Sequence, residues 1–177
     1  MSRLVALFRG VNVGGRNKVP MAPLRATIAA LGYVDVTSIG QSGNVCFDSD
    51  DQPDVIRSAI RGAVTDRFDV DVPVILRSAD AVEAALQTMP WTPAGIEPKL
   101  HHIMFLAAAA PTDARDRLGD HTPGADYVVD GAEIHVRYPH GSARSTLTVN
   151  LVDQRLSTVA TARNLPTCQK IAREIRG

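Results

Sequence analysis

The stretch from Leu4 to Lys18 reads L-V-A-L-F-R-G-V-N-V-G-G-R-N-K, and in it an apolar run gives way to a polar one. The five residues from Leu4 to Phe8 predict a buried strand. The next ten residues contain three glycines, two asparagines and three cations, but no acid. Glycine tolerates positive φ and allows backbone N–H groups to approach a ligand, while the cations supply charge. The stretch therefore predicts a strand that ends in a loop suited to binding an anion.

The residues after this loop predict the order strand, helix, strand, strand, helix, strand when the first strand is included. Apolar residues at helical spacing indicate helices at about 21–31 and 55–64. Short apolar runs bounded by turn residues indicate strands at 34–39, 45–47 and 72–76. This order is that of the ferredoxin-like, or split βαβ, arrangement.

The second half of the chain repeats this order less cleanly. Its predicted elements are a connecting helix at 79–86, strands at 102–106, 127–129, 134–138 and 158–160, and helices at 112–118, 145–156 and 165–175. We therefore expect an α+β protein of two ferredoxin-like units, which pack together or share their sheets. Residues 1–78 would form the first unit, 79–98 a connecting helix and linker, and 99–177 the second unit with the C-terminal helix.

The charge of the chain is zero overall but unevenly distributed. Residues 1–34 contain five basic residues and no acid, whereas residues 141–177 contain six basic residues and two acids. The middle of the chain is therefore acidic. If the two ends meet, they form one basic surface that favours an anionic ligand or partner. The alternative is that the basic ends attract the acidic middle, within one chain or in a homodimer.

Other functional classes find little support in the sequence. No apolar stretch approaches the roughly 20 residues that span a bilayer, and the apolar amino terminus is too short for a signal peptide, so we expect a cytoplasmic location and no membrane partner. Cys46 and Cys168 have no C-x-x-C partner and are expected to be reduced thiols. His101 and His102 are adjacent on a predicted strand and point to opposite faces, and His121, His135 and His140 have no ligand-like partners at short spacing. We expect no metal and no cofactor.

The predicted topology brings two polar segments together. In a split βαβ unit, the loop after the first strand and the turn between the second and third strands lie at the same edge of the sheet. The residues from Arg9 to Lys18 should therefore face the turn formed by Gln41, Ser42, Gly43 and Asn44. Together they would form one polar pocket.

Four motifs of the chain resemble those of the family called domain of unknown function 1697. They are R-G-V-N-V-G-G-R-N-K-V-P-M from Arg9, Q-S-G-N-V from Gln41, R-S-T-L from Arg144 and A-T-A-R-N from Ala160. The resemblance extends over essentially the whole chain. It implies a small soluble bacterial protein with a ferredoxin-like α/β architecture and no settled biochemical activity.

The resemblance also implies which residues matter. The candidate ligand-binding residues, to which the cationic loop itself adds Arg16, are Arg9, Gly10, Asn12, Gly14, Gly15, Arg16, Asn17, Lys18, Gln41, Ser42, Gly43, Asn44, Arg144, Ser145, Arg163 and Asn164. The chain departs from the family where Ile39 and Gly40 replace an aromatic, where Thr146 replaces a lysine, and where Leu165 and Pro166 replace a tryptophan.

Several of these residues also have a purely structural interpretation. The asparagines of the loop could cap turns, and Gln41 to Asn44 could be a tight hairpin. Ser145 and Asn164 each precede a predicted helix and are candidate N-caps. Arg144 and Arg163 have no such duty, and a guanidinium group can bind a phosphate through two parallel hydrogen bonds.

The leading functional hypothesis is a phosphate-bearing ligand, either nucleic acid, above all single-stranded RNA, or a nucleotide. The loop is not a Walker A motif, because Arg16 and Asn17 occupy the positions of its lysine and its serine or threonine. Ferredoxin-like sheets serve as base platforms in RNA-recognition domains, but only 5% of the residues are aromatic. The alternatives are an enzyme acting on a small anionic substrate and a homo-oligomeric assembly module without a ligand.

Overall fold

The computed structural model of the chain describes residues 1–91, 97–119 and 122–177. Within these residues there are six α-helices and eight strands. In chain order they are β1 (Ser2–Phe8), α1 (Met21–Ala29), β2 (Val34–Ser38), β3 (Asn44–Ser49), α2 (Pro53–Phe68), β4 (Val74–Ser78), α3 (Ala79–Gln87), β5 (His101–Leu106), α4 (Ala114–Leu118), β6 (Asp126–Asp130), β7 (Glu133–Arg137), α5 (Val149–Leu156), β8 (Ala160–Asn164) and α6 (Leu165–Arg176). None of the described helices has both the length and the apolar character needed to cross a bilayer.

The first sheet has the strand order β2-β3-β1-β4, with every neighbouring pair antiparallel. Side chains alternate between the two faces of a strand, so Ala6, Phe8, Val45 and Phe47 lie on one face. They form a buried core with apolar residues of α1 and α2, namely Leu24, Ile28, Ile56, Ile60 and Val64. Complete burial of a side chain such as Phe47 stabilises the fold by roughly 1.5–3 kcal/mol. The apolar residues whose helical spacing predicts α1 and α2 are thus the residues that cover this face of the sheet.

The second sheet has the order β6-β7-β5-β8, and its neighbouring strands are also antiparallel. Its core contains apolar residues of β5 and β7 packed against α4 and α5, among them Met104, Leu106, Ile134, Val136, Leu118 and Val152. The strands and helices occur in the same order as in the first sheet. The alternative of a single shared sheet is therefore wrong for the described residues, because each half of the chain builds its own four strands.

Both sheets are also buried on the face opposite these helices. Val5, Leu7 and Cys46 of the first sheet are fully buried, and Ile75 is 2% exposed. In the second sheet, the corresponding face carries His101, Ile103, Phe105 and His135, which are 0–1% exposed. Neither sheet therefore offers an open surface on these strands.

The chain divides into two compact units. The first unit consists of Met1–Glu83 with Lys170–Gly177, and the second unit of Ala84–Gln169. Helices α3 and α6 each contain residues of both units. The boundaries at 78 and 99 that the sequence suggests stay a prediction, and two parts of the sequence analysis, residues 92–96 of the linker and His121, lie outside the described residues.

The α+β prediction is confirmed, with two local corrections. Strand β8 covers Ala160–Asn164 rather than 158–160, because it pairs with β5 along its whole length. Helix α5 begins at Val149 rather than at 145. Its N-cap is Thr148, whose side chain accepts a hydrogen bond from the backbone N–H of Leu151. The preceding segment contains a short 3-10 turn at Ser142–Arg144.

Candidate functional site

The loop after β1 is held at its base by Asn12. The Asn12 Nδ2 donates to the backbone oxygen of Val19 at 2.8 Å and to that of Gln41 at 2.7 Å. Its Oδ1 accepts from the Val19 N–H at 2.8 Å. One side chain thus closes the loop on itself and joins it to the turn between β2 and β3. The contact that the topology predicts between these two segments is present.

Beyond this base the loop narrows to a two-glycine tip. The Asn12 N–H donates to the oxygen of Asn17, and the Arg16 N–H donates to that of Val13, both at 3.1 Å. Gly14 and Gly15 connect the two sides with φ values of +58° and +76°. This left-handed backbone is strained for residues with a Cβ, which explains the pair of glycines. The tip is exposed, and the Asn17 Nδ2 donates to the Gly10 oxygen at 3.0 Å.

The turn between β2 and β3 packs tightly under this loop. Gly43 is buried at φ +68°, and a Cβ built on it would lie 2.7 Å from the Cβ of Phe8. Its oxygen accepts from the Phe8 N–H at 2.8 Å. Asn44 is 1% exposed, and its Nδ2 donates to the Ile39 oxygen at 3.0 Å. Gly43 and Asn44 therefore shape the turn, whereas Gln41 and Ser42 remain exposed on its surface.

The cations of this region differ in their surroundings. Arg9 is half-buried, its N–H donates to the Pro73 oxygen at 3.0 Å, and burial lowers the pKa of its guanidinium group. Arg16 and Lys18 are exposed, and neither side chain forms a hydrogen bond or ion pair with any residue that the structure describes. These two charges on the loop are thus available to a ligand.

A further cation that the motifs do not include lies close by in the fold. The Arg25 Nη1, on α1, donates to the Ser38 Oγ at the end of β2, at a distance of 2.6 Å. Since β2 leads directly into the turn containing Gln41, Arg25 lies near the same edge of the sheet. The sequence gives one indication that this region is basic, because residues 1–34 contain no acidic residue.

The C-terminal candidates lie in the second unit, each in its own local structure. Arg144 is exposed at the end of the 3-10 turn. The Ser145 Oγ accepts from the Leu147 N–H at 3.0 Å, so Ser145 stabilises a turn and is not the N-cap of α5. The Asn164 Oδ1 accepts from the Thr167 N–H at 3.0 Å, which confirms its capping of α6.

Arg163 is a buried residue of β8. It is 7% exposed, and its Nη1 donates to the Thr161 Oγ1 and to the Ala162 oxygen, both at 2.8 Å. Burial lowers its pKa to about 10. Because this guanidinium group is largely buried and already donates two hydrogen bonds within its own strand, these contacts favour a structural role for Arg163.

The two cysteines of the chain are buried and are not activated as nucleophiles. Burial raises the pKa of both Cys46 and Cys168 to about 12, and both are buried free thiols. A thiol of this kind is protonated at neutral pH and is a poor nucleophile. Within the described residues, no three His, Cys, Asp or Glu side chains form a cluster that could hold a metal ion.

A family model described as "Protein of unknown function (DUF1697)" matches residues 1–135 of the chain. The chain belongs to this family. The part of this DUF1697 protein that is matched includes the loop after β1 and the turn at Gln41 to Asn44. Arg144, Ser145, Arg163 and Asn164 lie beyond it, so the resemblance covers less of the chain than the four motifs suggest.

The fold of this DUF1697 chain is similar to a solved structure. "The structure of conserved bacterial protein SP0830 from Streptococcus pneumoniae" has a TM-score of 0.74 and 22% sequence identity, and the likeness covers 98% of each chain. At this identity the likeness shows a shared fold, which continues past residue 135. No curated protein matches the chain.

Proposed function

We propose that the loop from Arg9 to Lys18 binds a phosphate-bearing ligand, either single-stranded RNA or a nucleotide. The observation that carries this proposal is a fixed loop with free charge. Asn12 anchors the base of the loop through three hydrogen bonds, and Arg16 and Lys18 remain exposed without a partner among the described residues. Cations held on a rigid support attract phosphate without first having to be ordered.

We also infer that both units are ferredoxin-like. The strand orders β2-β3-β1-β4 and β6-β7-β5-β8 support this inference, because each has the third strand of its unit between the first and the second. In this arrangement the loop after the first strand and the turn between the second and third strands share an edge. The hydrogen bond from Asn12 to the Gln41 oxygen agrees with that arrangement.

The buried sheet faces limit how RNA could be bound. RNA-recognition domains of this architecture stack bases on the open face of the sheet. Here the residues of that face, such as Val5 and Leu7, are fully buried. Binding would therefore depend on phosphates at the loop rather than on base stacking, and we expect little sequence preference.

Fluorescence anisotropy with a labelled single-stranded uridine oligonucleotide tests the proposal. The variant Arg16→Ala/Lys18→Ala removes both exposed loop charges. Loss of two phosphate contacts should weaken binding about tenfold or more. The negative slope of log affinity against log salt should become shallower by about 1.4, since each contact with a single strand contributes about 0.7. The double substitution Lys170→Ala/Arg173→Ala is the matched control, since it removes one exposed lysine and one exposed arginine from the same unit.

The outcomes of this experiment separate the alternatives. If the loop variant and the control weaken the affinity equally, the loss is explained by the change in net charge alone. That result would contradict a binding site at the loop. An affinity that neither salt nor the loop variant changes would also contradict it. Competition by ATP, with loss of the effect in the loop variant, would identify a nucleotide as the ligand in place of RNA.

A further inference from the structure

The second unit contains a largely apolar pocket that the phosphate proposal does not use. Its volume is about 410 Å³, and it is lined by Leu86, Met89, Trp91, His101, Leu165 and Gln169. All of these residues belong to Ala84–Gln169. Ligand sites in proteins are commonly pockets of about 300–1,000 Å³ with apolar walls and a few polar groups. This pocket has that size and that composition.

His101 is the polar group buried at this pocket. The residue is 1% exposed, and neither ring nitrogen has a hydrogen-bond partner among the described residues. A buried polar group without a partner is destabilising, so such groups are uncommon in native structures. Burial, and secondarily the charge of Arg137, lower the pKa of His101. Its neutral imidazole therefore carries one donor and one acceptor.

The walls of the pocket favour a flat, uncharged occupant. The Trp91 and His101 rings lie with their centroids 6.2 Å apart, and Leu86, Met89 and Leu165 supply aliphatic surface. No acidic or basic side chain is among the described lining residues, apart from the imidazole. Arg137 lies beside the pocket, with its guanidinium group over the Trp91 ring at 5.2 Å, and is paired with Asp126 at 2.7 Å. Its charge is thus already compensated.

We propose that this pocket binds a small, uncharged aromatic molecule that carries a hydroxyl group or a similar hydrogen-bonding group for His101. The aromatic ring would pack against Trp91 and the aliphatic side chains. The hydroxyl group would satisfy a ring nitrogen that otherwise has no partner. This site is independent of the loop after β1, since it uses other residues and selects against charge rather than for it.

Trp91 provides a direct readout, because it is the single tryptophan of the chain. Titration of the full chain with p-cresol should shift the NMR signal of its indole N–H with saturation. The control probe is p-xylene, in which a methyl group replaces the hydroxyl group. We expect p-xylene to bind about fivefold more weakly, since one hydrogen bond to a neutral partner contributes about 1 kcal/mol. Equal affinity for the two probes, or a shift that does not saturate for either, would overturn the proposal.

Two variants locate the binding. Gln169 is an exposed residue at the pocket, so Gln169→Phe should block the pocket without disturbing the core and should abolish the saturable shift. His101→Phe should make the affinities for p-cresol and p-xylene equal. If His101→Phe does not fold, the Gln169→Phe variant and the comparison of p-cresol with p-xylene still test the proposal. An unchanged shift in Gln169→Phe would place the binding elsewhere and contradict the proposal.

Discussion

The two units close the same edge of their sheets with the same backbone hydrogen bonds, but with different side chains. In the first unit, the Phe8 N–H donates to the Gly43 oxygen and the Arg9 N–H to the Pro73 oxygen. In the second unit, the Leu106 N–H donates to the Ala132 oxygen and the Ala107 N–H to the Val159 oxygen. In both cases the acceptors directly precede the third and fourth strands of the unit.

The loops that begin at these shared bonds differ between the units. The loop after β1 contains Arg9, Arg16 and Lys18 with its glycines and asparagines, whereas the loop after β5 begins with four alanines, residues 107–110. The comparison teaches that the same backbone scaffold can carry loops of very different charge and side-chain chemistry. Any preference for an anion belongs to the side chains of one loop, which agrees with the general observation that function resides in sites placed on a fold.

Substitution of Gly43 should have the largest effect on this comparison. Gly43→Ala places a Cβ 2.7 Å from that of Phe8 at a φ of +68°, so we expect a loss of about 3 kcal/mol in the free energy of unfolding, measured by urea denaturation. Gly14→Ala is the control, because nothing lies within 4 Å of its Cβ, and about 1 kcal/mol should be lost there. Equal losses at both positions would mean that the close contact with Phe8 adds nothing.

Removal of the Asn12 amide should have the next largest effect. Asn12→Ala deletes three hydrogen bonds, including the partner of the buried Val19 N–H, and should lower the free energy of unfolding by about 2 kcal/mol. Asn17→Ala is a matched control, since both residues have positive φ but the Asn17 side chain donates one hydrogen bond. The Arg16 and Lys18 charges remain in both variants. If Asn12→Ala binds the oligonucleotide as tightly as Asn17→Ala, rigidity of the loop does not contribute to affinity.

Mild acid should have the smallest effect on stability, and it should destabilise only the second unit. Burial lowers the pKa values of His101, His102 and His135, with Asp130 opposing the shift at His135, and the first unit contains no histidine. In the unfolded chain a histidine has a pKa of about 6.5, so the unfolded state takes up protons first as the pH falls. The stability of the second unit should therefore decrease from about pH 7 downward.

Hydrogen exchange followed by mass spectrometry measures this directly. Once corrected for the intrinsic pH dependence of exchange, protection should fall in peptides of the second unit and remain in those of the first. A uniform fall in both units would trace the acid sensitivity to groups other than the buried histidines.

The elements and one contact could be predicted from the sequence, because they depend on local pattern and on topology. Apolar spacing predicts α1 and α2, and the strand order predicts that the loop after β1 meets the turn at Gln41. The atoms that make this contact could not be predicted. Asn12 and Asn17 have the same chemistry in the sequence, yet one anchors the loop to Gln41 and the other bonds within it.

The sequence-based predictions are wrong where tertiary contacts select one of several residues or bounds that the local sequence favours equally. Ser145 and Thr148 both lie before α5 and both are good N-caps, but only Thr148 caps the helix. The small residues of β8 give a weak strand pattern, and pairing with β5 extends the strand to Asn164. The pocket of the second unit combines residues from segments far apart in the chain, such as Met89 and Leu165, so no local pattern indicates it.

The anchored base of the loop after β1 has a consequence for binding thermodynamics. Because Asn12 and the Val13–Arg16 turn fix the backbone before any ligand arrives, binding there should involve little further ordering of the chain. Association should then occur as a docking of two preformed surfaces, with loop amides protected from exchange equally before and after the ligand binds.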